Sequence, residues 1–392
     1  MKKLIAIFSL WFILLLIFVG VPGFYYVYLR HASSKSWSLK IEKTCLPTVT
    51  IMVPMYNEER TIRLKLENLA KLKYPKEKLQ ILLVNDASTD STLDEISSFS
   101  KNGLIDFRVI NLTSRSGKTK ALNKALKYAE GEVVVVSDSD AFLSPNILYK
   151  AMPFFADPSV GAVISREELL TPNISWVSET ENFYFSLVYG TIKLGESKIY
   201  STIMFHGGFA VYRRSLLDNF NVETDDTGTA LDIVQKGSRT IMVPCAVSFS
   251  LEFVAWKDKF KIKVRRATHN LKTWVRCLHL LFERRLLLPK KIAIPEMFLY
   301  LFNPVVLFTF FIITVFLLLR NPFPMALVIL VLLPILVVKR TRTLFIEVIQ
   351  NNCFLLLAIL SLLAGKEIIR WGTVQDPRAM IRRDMLESRH LI

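Results

Sequence analysis

Cysteine and histidine are both scarce in this chain, four and five among 392 residues. The cysteines, Cys45, Cys245, Cys277 and Cys353, stand far apart, with no Cys-x-x-Cys pair and no histidine at ligand spacing. That excludes a zinc ribbon and a disulfide-stapled scaffold, and the thiols are read as reduced. Charge is missing altogether from 4–29, 297–319, 321–338 and 348–365. At about 1.5 Å of helical rise per residue, runs of this length reach across a bilayer. Acidic residues are outnumbered, 34 against 50, but the excess of Lys and Arg crowds 257–291 and 366–383, beside the apolar runs. A nucleic-acid binder would carry a basic face with aromatics on its soluble part, so that class is set aside. Basic residues flanking apolar spans instead mark loops that face anionic lipid.

The chain divides accordingly. Residues 1–31 read as a membrane anchor, longer than a signal-peptide core and followed by no small-x-small cleavage site. Arg30, His31, Lys35, Lys40 and Lys43 outweigh Lys2 and Lys3. By the positive-inside rule the next domain, 45–250, is then cytoplasmic in an integral protein of the cell membrane. Residues 251–291 mix basic residues with Phe260, Ile262, Val264, Leu271, Trp274 and Leu278, the composition of amphipathic helices lying at a membrane interface. Residues 292–365 read as a transmembrane hairpin, turning at Asn321-Pro322-Phe323-Pro324, plus a third apolar helix; 366–392 is a basic tail. A full third crossing would leave that tail outside, against the charge rule. Either the third run is re-entrant or interfacial, or one span is misassigned. Asn111-Leu112-Thr113 and Asn173-Ile174-Ser175 match a glycosylation sequon, which matters only in a translocated domain.

Within 45–250, short β-rich apolar runs at 49–53, 81–84, 107–110 and 133–136 alternate with helical patterns at 58–72 and 120–129. That alternation predicts an α/β domain with a mixed, mostly parallel sheet flanked by helices, whose ligands gather beyond the strands' carboxyl ends. Asp86 falls past one such end. Asp138-Ser139-Asp140 falls past another, and its hard oxygens suit Mg2+ or Mn2+. Pro54-Met55-Tyr56-Asn57-Glu58 follows the first strand, where Tyr56 and Glu58 are placed to hold base and ribose. Gly117-Lys118 opens a helix and offers a cation to phosphates. Asn57, Ser88 and Asp90 also read as helix caps.

In this order the stretches 54–58, Val84-Asn85-Asp86-Ala87-Ser88-Thr89-Asp90, Gly117-Lys118, Asp138-Ser139-Asp140, Gly207-Gly208 and Thr224-Asp225-Asp226 resemble a membrane-bound family 2 glycosyltransferase. The similarity is to cellulose, poly-GlcNAc and hyaluronan synthases, and it covers Val49 to about Arg266. It implies a GT-A fold and an inverting, metal-dependent transfer from a nucleotide sugar, UDP-linked by expectation, to a lipid or glycan acceptor. Under it Pro54, Tyr56, Glu58, Asp86, Lys118 and Asp138 hold the nucleotide, Asp140 with Asp138 the metal, and Gly207 and Gly208 the acceptor. Asp226 is the base. Adjacent carboxylates can share one proton, so Asp225 stays a second candidate. The Gln-x-x-Arg-Trp motif of processive members appears here as Lys263-Val264-Arg265-Arg266-Ala267. Arg266, or Arg265, is left to neutralise the diphosphate, and the missing tryptophan tilts the reading from polymer synthesis toward single transfer. Trp371 resembles a tail tryptophan of some membrane members. A processive synthase, and an inactive nucleotide-binding scaffold or transporter, are the alternatives.

Overall fold

The computed structural model describes residues 2–170, 181–251, 256–320, 330, 333, 337–365 and 381–392. The sequon at 173–175, the turn at 321–324, most of the run 321–338, Trp371, and the tail's Lys366, Arg370 and Arg378 lie outside them. The chain forms two units. One comprises Ala32–Ser178, Lys193–Asp258 and Arg370–Ile392; the other comprises Met1–His31, Glu179–Ile192 and Lys259–Ile369.

The first unit is built on eight strands: β1 Val49–Met55, β2 Leu79–Asn85, β3 Arg108–Asn111, β4 Val133–Val136, β5 Ala141–Leu143, β6 Val160–Leu170, β7 Ala210–Arg213 and β8 Arg239–Leu251. They form one sheet in the order β3-β2-β1-β4-β7-β6-β8-β5. β3, β2, β1 and β4 run parallel, as do β6 and β8; β7 runs against β4 and β6, and β5 against β8. β1 and β4 are buried along their whole length, as expected of parallel strands covered on both faces, so their sequences are apolar without alternation.

Register places the site. Met55 pairs Asn85 and Asn85 pairs Asn111, so β1, β2 and β3 end together. Tyr56, Asp86 and Asp138 therefore leave the same sheet edge, the one where ligands of parallel sheets collect. Because β7 is antiparallel to β4, with Ala210 opposite Val136, the segment entering β7 arrives at that edge too. Asp138 N donates to Gly207 O at 2.8 Å.

The second half of the sheet, β5 to β8, has no counterpart in the sequence expectation. The helix expected over 58–72 is Ile62–Ala70, because Asn57 adopts φ 55° and diverts the chain before the helix begins. The helix expected at 120–129 starts earlier, as Lys118–Ala125, and tightens into a 3-10 turn at Leu126–Tyr128. The end of the tail returns to the sheet: Leu386 and Leu391 pack with Phe142, Leu170 and Phe249. Asn68 Nδ2 donates to Leu391 O at 2.7 Å.

The second unit is helical. Its long elements are Lys2–Ser33, Trp256–Phe282, a helix from Lys290 to Arg320 with a wider π turn at Phe298–Phe302, and Lys339–Leu363. Ile5–Ser33, Lys290–Arg320 and Lys339–Leu363 are long and apolar enough to cross a membrane. The apolar run at 348–365 is thus the back of a longer helix that opens on Lys339, Arg340 and Arg342. The amphipathic segment ends as a helix at Phe282; it buries Val264, Ala267, Leu271, Trp274 and Cys277, spaced three and four apart on one face.

Candidate active site

Each strand end fixes one part of the site. After β2, Asp86 is buried, and its carboxylate folds the loop ahead of the next helix. Its Oδ1 accepts from Ser116 N at 2.7 Å and Ser116 Oγ at 2.9 Å, and its Oδ2 from Gly117 N at 2.7 Å. Gly117 sits at φ 90°, a backbone conformation that a side chain disfavours. Asp86, expected to hold the nucleotide, here holds the loop that carries Lys118.

After β1, Asn57 is not a helix cap. It interlocks with the parallel loop: Asn57 N donates to Ser88 Oγ at 3.0 Å, and Thr89 N to Asn57 Oδ1 at 2.8 Å. The N-cap of the following helix is Ser91 rather than Ser88 or Asp90, and Asp90, one residue before it, accepts Thr92 N at 3.1 Å. Glu58, expected to face a ribose, is buried and accepts from Thr61 Oγ1 at 2.7 Å. Pro54 is buried within β1. Tyr56 remains partly open, with the Arg115 guanidinium 3.9 Å over its ring. Sequence reasoning missed Arg115; its only signal was proximity to Gly117-Lys118.

Lys118 joins the predicted carboxylates. Its Nζ is 2.8 Å from Asp138 Oδ1 and 3.5 Å from Asp226 Oδ2. Asp226 stands in the first turn of the helix Asp225–Gln235, where the helix dipole favours a negative side chain. Asp225 is that helix's first residue. Gly207 closes the cluster: a Cβ there would lie 2.3 Å from Asp138 Oδ2 and 2.4 Å from Lys118 Nζ. Only glycine leaves this space open. Gly208 follows Gly207 in the turn that leads into β7. Arg265 and Arg266 lie on the helix Trp256–Phe282 of the helical unit.

Asp138 and the partly exposed Asp140 offer hard oxygens at the turn between β4 and β5. Among the described residues no group of three His, Cys, Asp or Glu side chains gathers at ligand spacing. That donor set fits a Mg2+-type ion, which takes one or two carboxylates and completes its shell with substrate phosphates and water.

Beneath this turn lies Lys65, a second residue that sequence reasoning missed, fully buried on the helix Ile62–Ala70. Burial pushes its ammonium down to about 7, while Asp138 and Asp140 pull the other way.

Residues 50–220 match the family model "Glycosyl transferase family 2", so the chain carries a family 2 glycosyltransferase domain with a GT-A fold. The mannosyltransferase PcManGT from Pyrobaculum calidifontis, solved with GDP-Man and Mn2+, superposes with a TM-score of 0.77. It is 29% identical, over 92% of this chain and 100% of that one. The probable glycosyltransferase YdaM of Bacillus subtilis is 26% identical over 270 residues, 66% of this chain and 62% of that protein. The poly-beta-1,6-N-acetyl-D-glucosamine synthase of Staphylococcus epidermidis is 27% identical over 199 residues, 50% of this chain and 47% of that protein. The chain thus spans less than two thirds of the length of these curated relatives.

Proposed function

We propose that this protein transfers one sugar, with inversion, from a nucleoside-diphosphate donor to a lipid-linked or other membrane-associated acceptor. The observation that carries the reading is Lys118 drawing Asp138 and Asp226 to one point under Gly207. Asp226 acts as the base that takes the acceptor hydroxyl's proton at a carboxylate oxygen, with Asp225 the second candidate. Lys118 pairs with both carboxylates before the donor enters and turns its charge to the diphosphate afterwards. Asp86 anchors the loop that carries Lys118; Tyr56 and Arg115 offer a flat surface to a base. A Mg2+ or Mn2+ held by Asp138 and Asp140 would supply Lewis-acid neutralisation of the departing diphosphate. No side chain is assigned as a covalent nucleophile, which is why inversion follows.

Single transfer is favoured over a processive cycle by what stands in the altered arginine motif. Lys263 is ion-paired with Glu181, and Ala267 packs with Leu271 and Ala358. Trp274 is fully buried and stacks on Tyr300 at 5.8 Å, so it offers no substitute platform for a sugar. Arg266 remains the residue proposed to meet the diphosphate.

The tail bears on topology. Residues packed into the sheet unit stand on that unit's side of any membrane. Among the described residues, Lys290–Arg320 and Lys339–Leu363 are the two candidate spans between residue 251 and residue 381, an even number, and they are proposed as the crossings there. The domain is proposed to face the cytoplasm, where nucleotide sugars are made.

The test is turnover by the full-length protein with native lipid extract and labelled GDP-mannose, UDP-GlcNAc and UDP-glucose, with and without EDTA. The expected result is one donor used, activity lost in EDTA and restored by Mn2+ or Mg2+. No transfer from any donor would instead support the scaffold or transporter reading. The UDP-linked expectation fails if GDP-mannose alone is turned over.

A further inference from the structure

Lys65 has no place in the chemistry above, yet it is 0% exposed. Burying an ammonium costs several kcal/mol unless partners surround it. Here the partners bracket the metal turn. Lys65 Nζ donates to Ser137 Oγ at 2.7 Å, just before Asp138-Ser139-Asp140, and to Ala141 O, just after it. Lys65 Nζ can donate this bond whether charged or neutral, and the Ser137 hydroxyl accepts it. Its single proton is then committed elsewhere, and it goes to Gly208 O at 2.8 Å. The adjacent peptide is held from the same turn, since Asp138 N donates to Gly207 O at 2.8 Å. Both carbonyls of the glycine pair are thus tied to the turn that Lys65 grips.

We propose that Lys65 is a positioning residue. By fixing the direction of the Ser137 hydroxyl and gripping both ends of the 137–141 turn, it sets the spacing between the metal-binding turn and the Gly207-Gly208 segment. This assignment of the two segments to donor and acceptor sides rests on the proposed function.

A lysine that merely fills core volume predicts uniform loss of stability on replacement, whereas a positioning lysine predicts a local one. Amide hydrogen exchange on the full-length protein in lipid nanodiscs separates the two. In Lys65→Met, peptides covering 137–143 and 205–209 are expected to exchange about tenfold faster, while those covering β1 and β2 stay within about twofold of wild type. Ser137→Ala keeps the ammonium but removes the relay, and is expected to accelerate 205–209 alone; it decides the matter if Lys65→Met does not fold. Unchanged rates in 205–209 for either variant, or acceleration of all strands together, overturn the proposal. In turnover, Lys65→Met is expected to lower kcat about tenfold with donor KM within about twofold. If the wild-type protein transfers no sugar at all, the proposed function falls, and the exchange measurement still decides what Lys65 does.

Discussion

The two units of this molecule are built with opposite polarity. In the sheet unit the apolar side chains of Ile51, Leu83, Val135 and Val211 are wholly buried, and exposed large apolar residues such as Leu104 and Val222 occur singly. In the helical unit Leu319, Leu363 and Phe24 are 83%, 80% and 79% exposed, whereas Lys259 and Glu347 are 1% and 0% exposed. The first pattern is that of a water-soluble domain, and the second is the one proposed membrane spans would have: hydrocarbon tolerates exposed leucine, and charges inside it survive only when paired. The buried charges differ as well. Those of the helical unit neutralise one another, Lys259 lying 3.1 Å from Glu181 and also pairing with Glu347. In the sheet unit, by contrast, Lys65 on the helix Ile62–Ala70 and Asp86 after β2 each hold a loop at the strand ends. On the proposed function, chemistry belongs to the sheet unit and cohesion in lipid to the helical one.

The largest effect that would break this division concerns Asp226. Asp226→Asn is expected to reduce transfer by about 10²- to 10⁴-fold, the usual contribution of a general base, while nucleotide binding persists. Full activity would remove Asp226 as the base, and a comparable loss confined to Asp225→Asn would move the role one residue back. Next in size is a change in cohesion. Lys259→Leu leaves Glu347 buried without its cation, so unfolding in detergent is expected to become easier by about 3–5 kcal/mol. Acid should act on the same network. Burial works against the charged form of Glu181, but Lys263 and Lys259 prevail and hold its carboxyl below the ordinary value of 4.5. Its stabilising contribution is therefore complete above that value and disappears as pH falls through the lower, folded one. Gly207→Ala follows: with 2.3 Å available beside Asp138 Oδ2, Lys118 or Asp138 must shift, and kcat is expected to fall about 100-fold with little change in melting temperature.

How much of this was legible beforehand tracks the range of the interactions. β1, β2 and β4 announce themselves because parallel buried strands are apolar along their length, and the aspartates that follow them are found by position alone. β5 is too short to signal, and β6 and β8 carry polar residues such as Ser165, Arg166 and Ser248 among apolar ones. Their pairing is set by contacts far apart in sequence, Ser165 with Val243 for instance. Glu58 looked like a ligand because acids near strand ends often are; its hydrogen bond to Thr61 is a local turn that no periodicity reports. Lys65 was hidden most completely. On a helix with apolar neighbours it reads as a solvated lysine, and only the turn between β4 and β5, more than seventy residues away, reveals what it grips. In the helical unit, composition located the apolar runs at 297–319 and 348–365 but not that the second continues a helix opening on Lys339, Arg340 and Arg342.

The smallest effect sharpens the comparison, because one substitution can be made in both units. Leu391 is 1% exposed in a cluster with Phe142, Leu170 and Phe249, and Leu360 is 54% exposed on the helix Lys339–Leu363. If water surrounds the first unit, Leu391→Ala opens a cavity there and is expected to destabilise it by about 2 kcal/mol, the low end for buried leucine because a chain end can settle into the gap. If lipid surrounds the second, Leu360→Ala exchanges one apolar surface for a smaller one against hydrocarbon, and the change is expected to stay within about 0.5 kcal/mol. Hydrogen exchange at β5 and β8 reads the first, and helix unfolding in nanodiscs the second. Equal costs at the two sites would mean that Leu360 faces protein, and the assignment of Lys339–Leu363 as a span would have to be withdrawn.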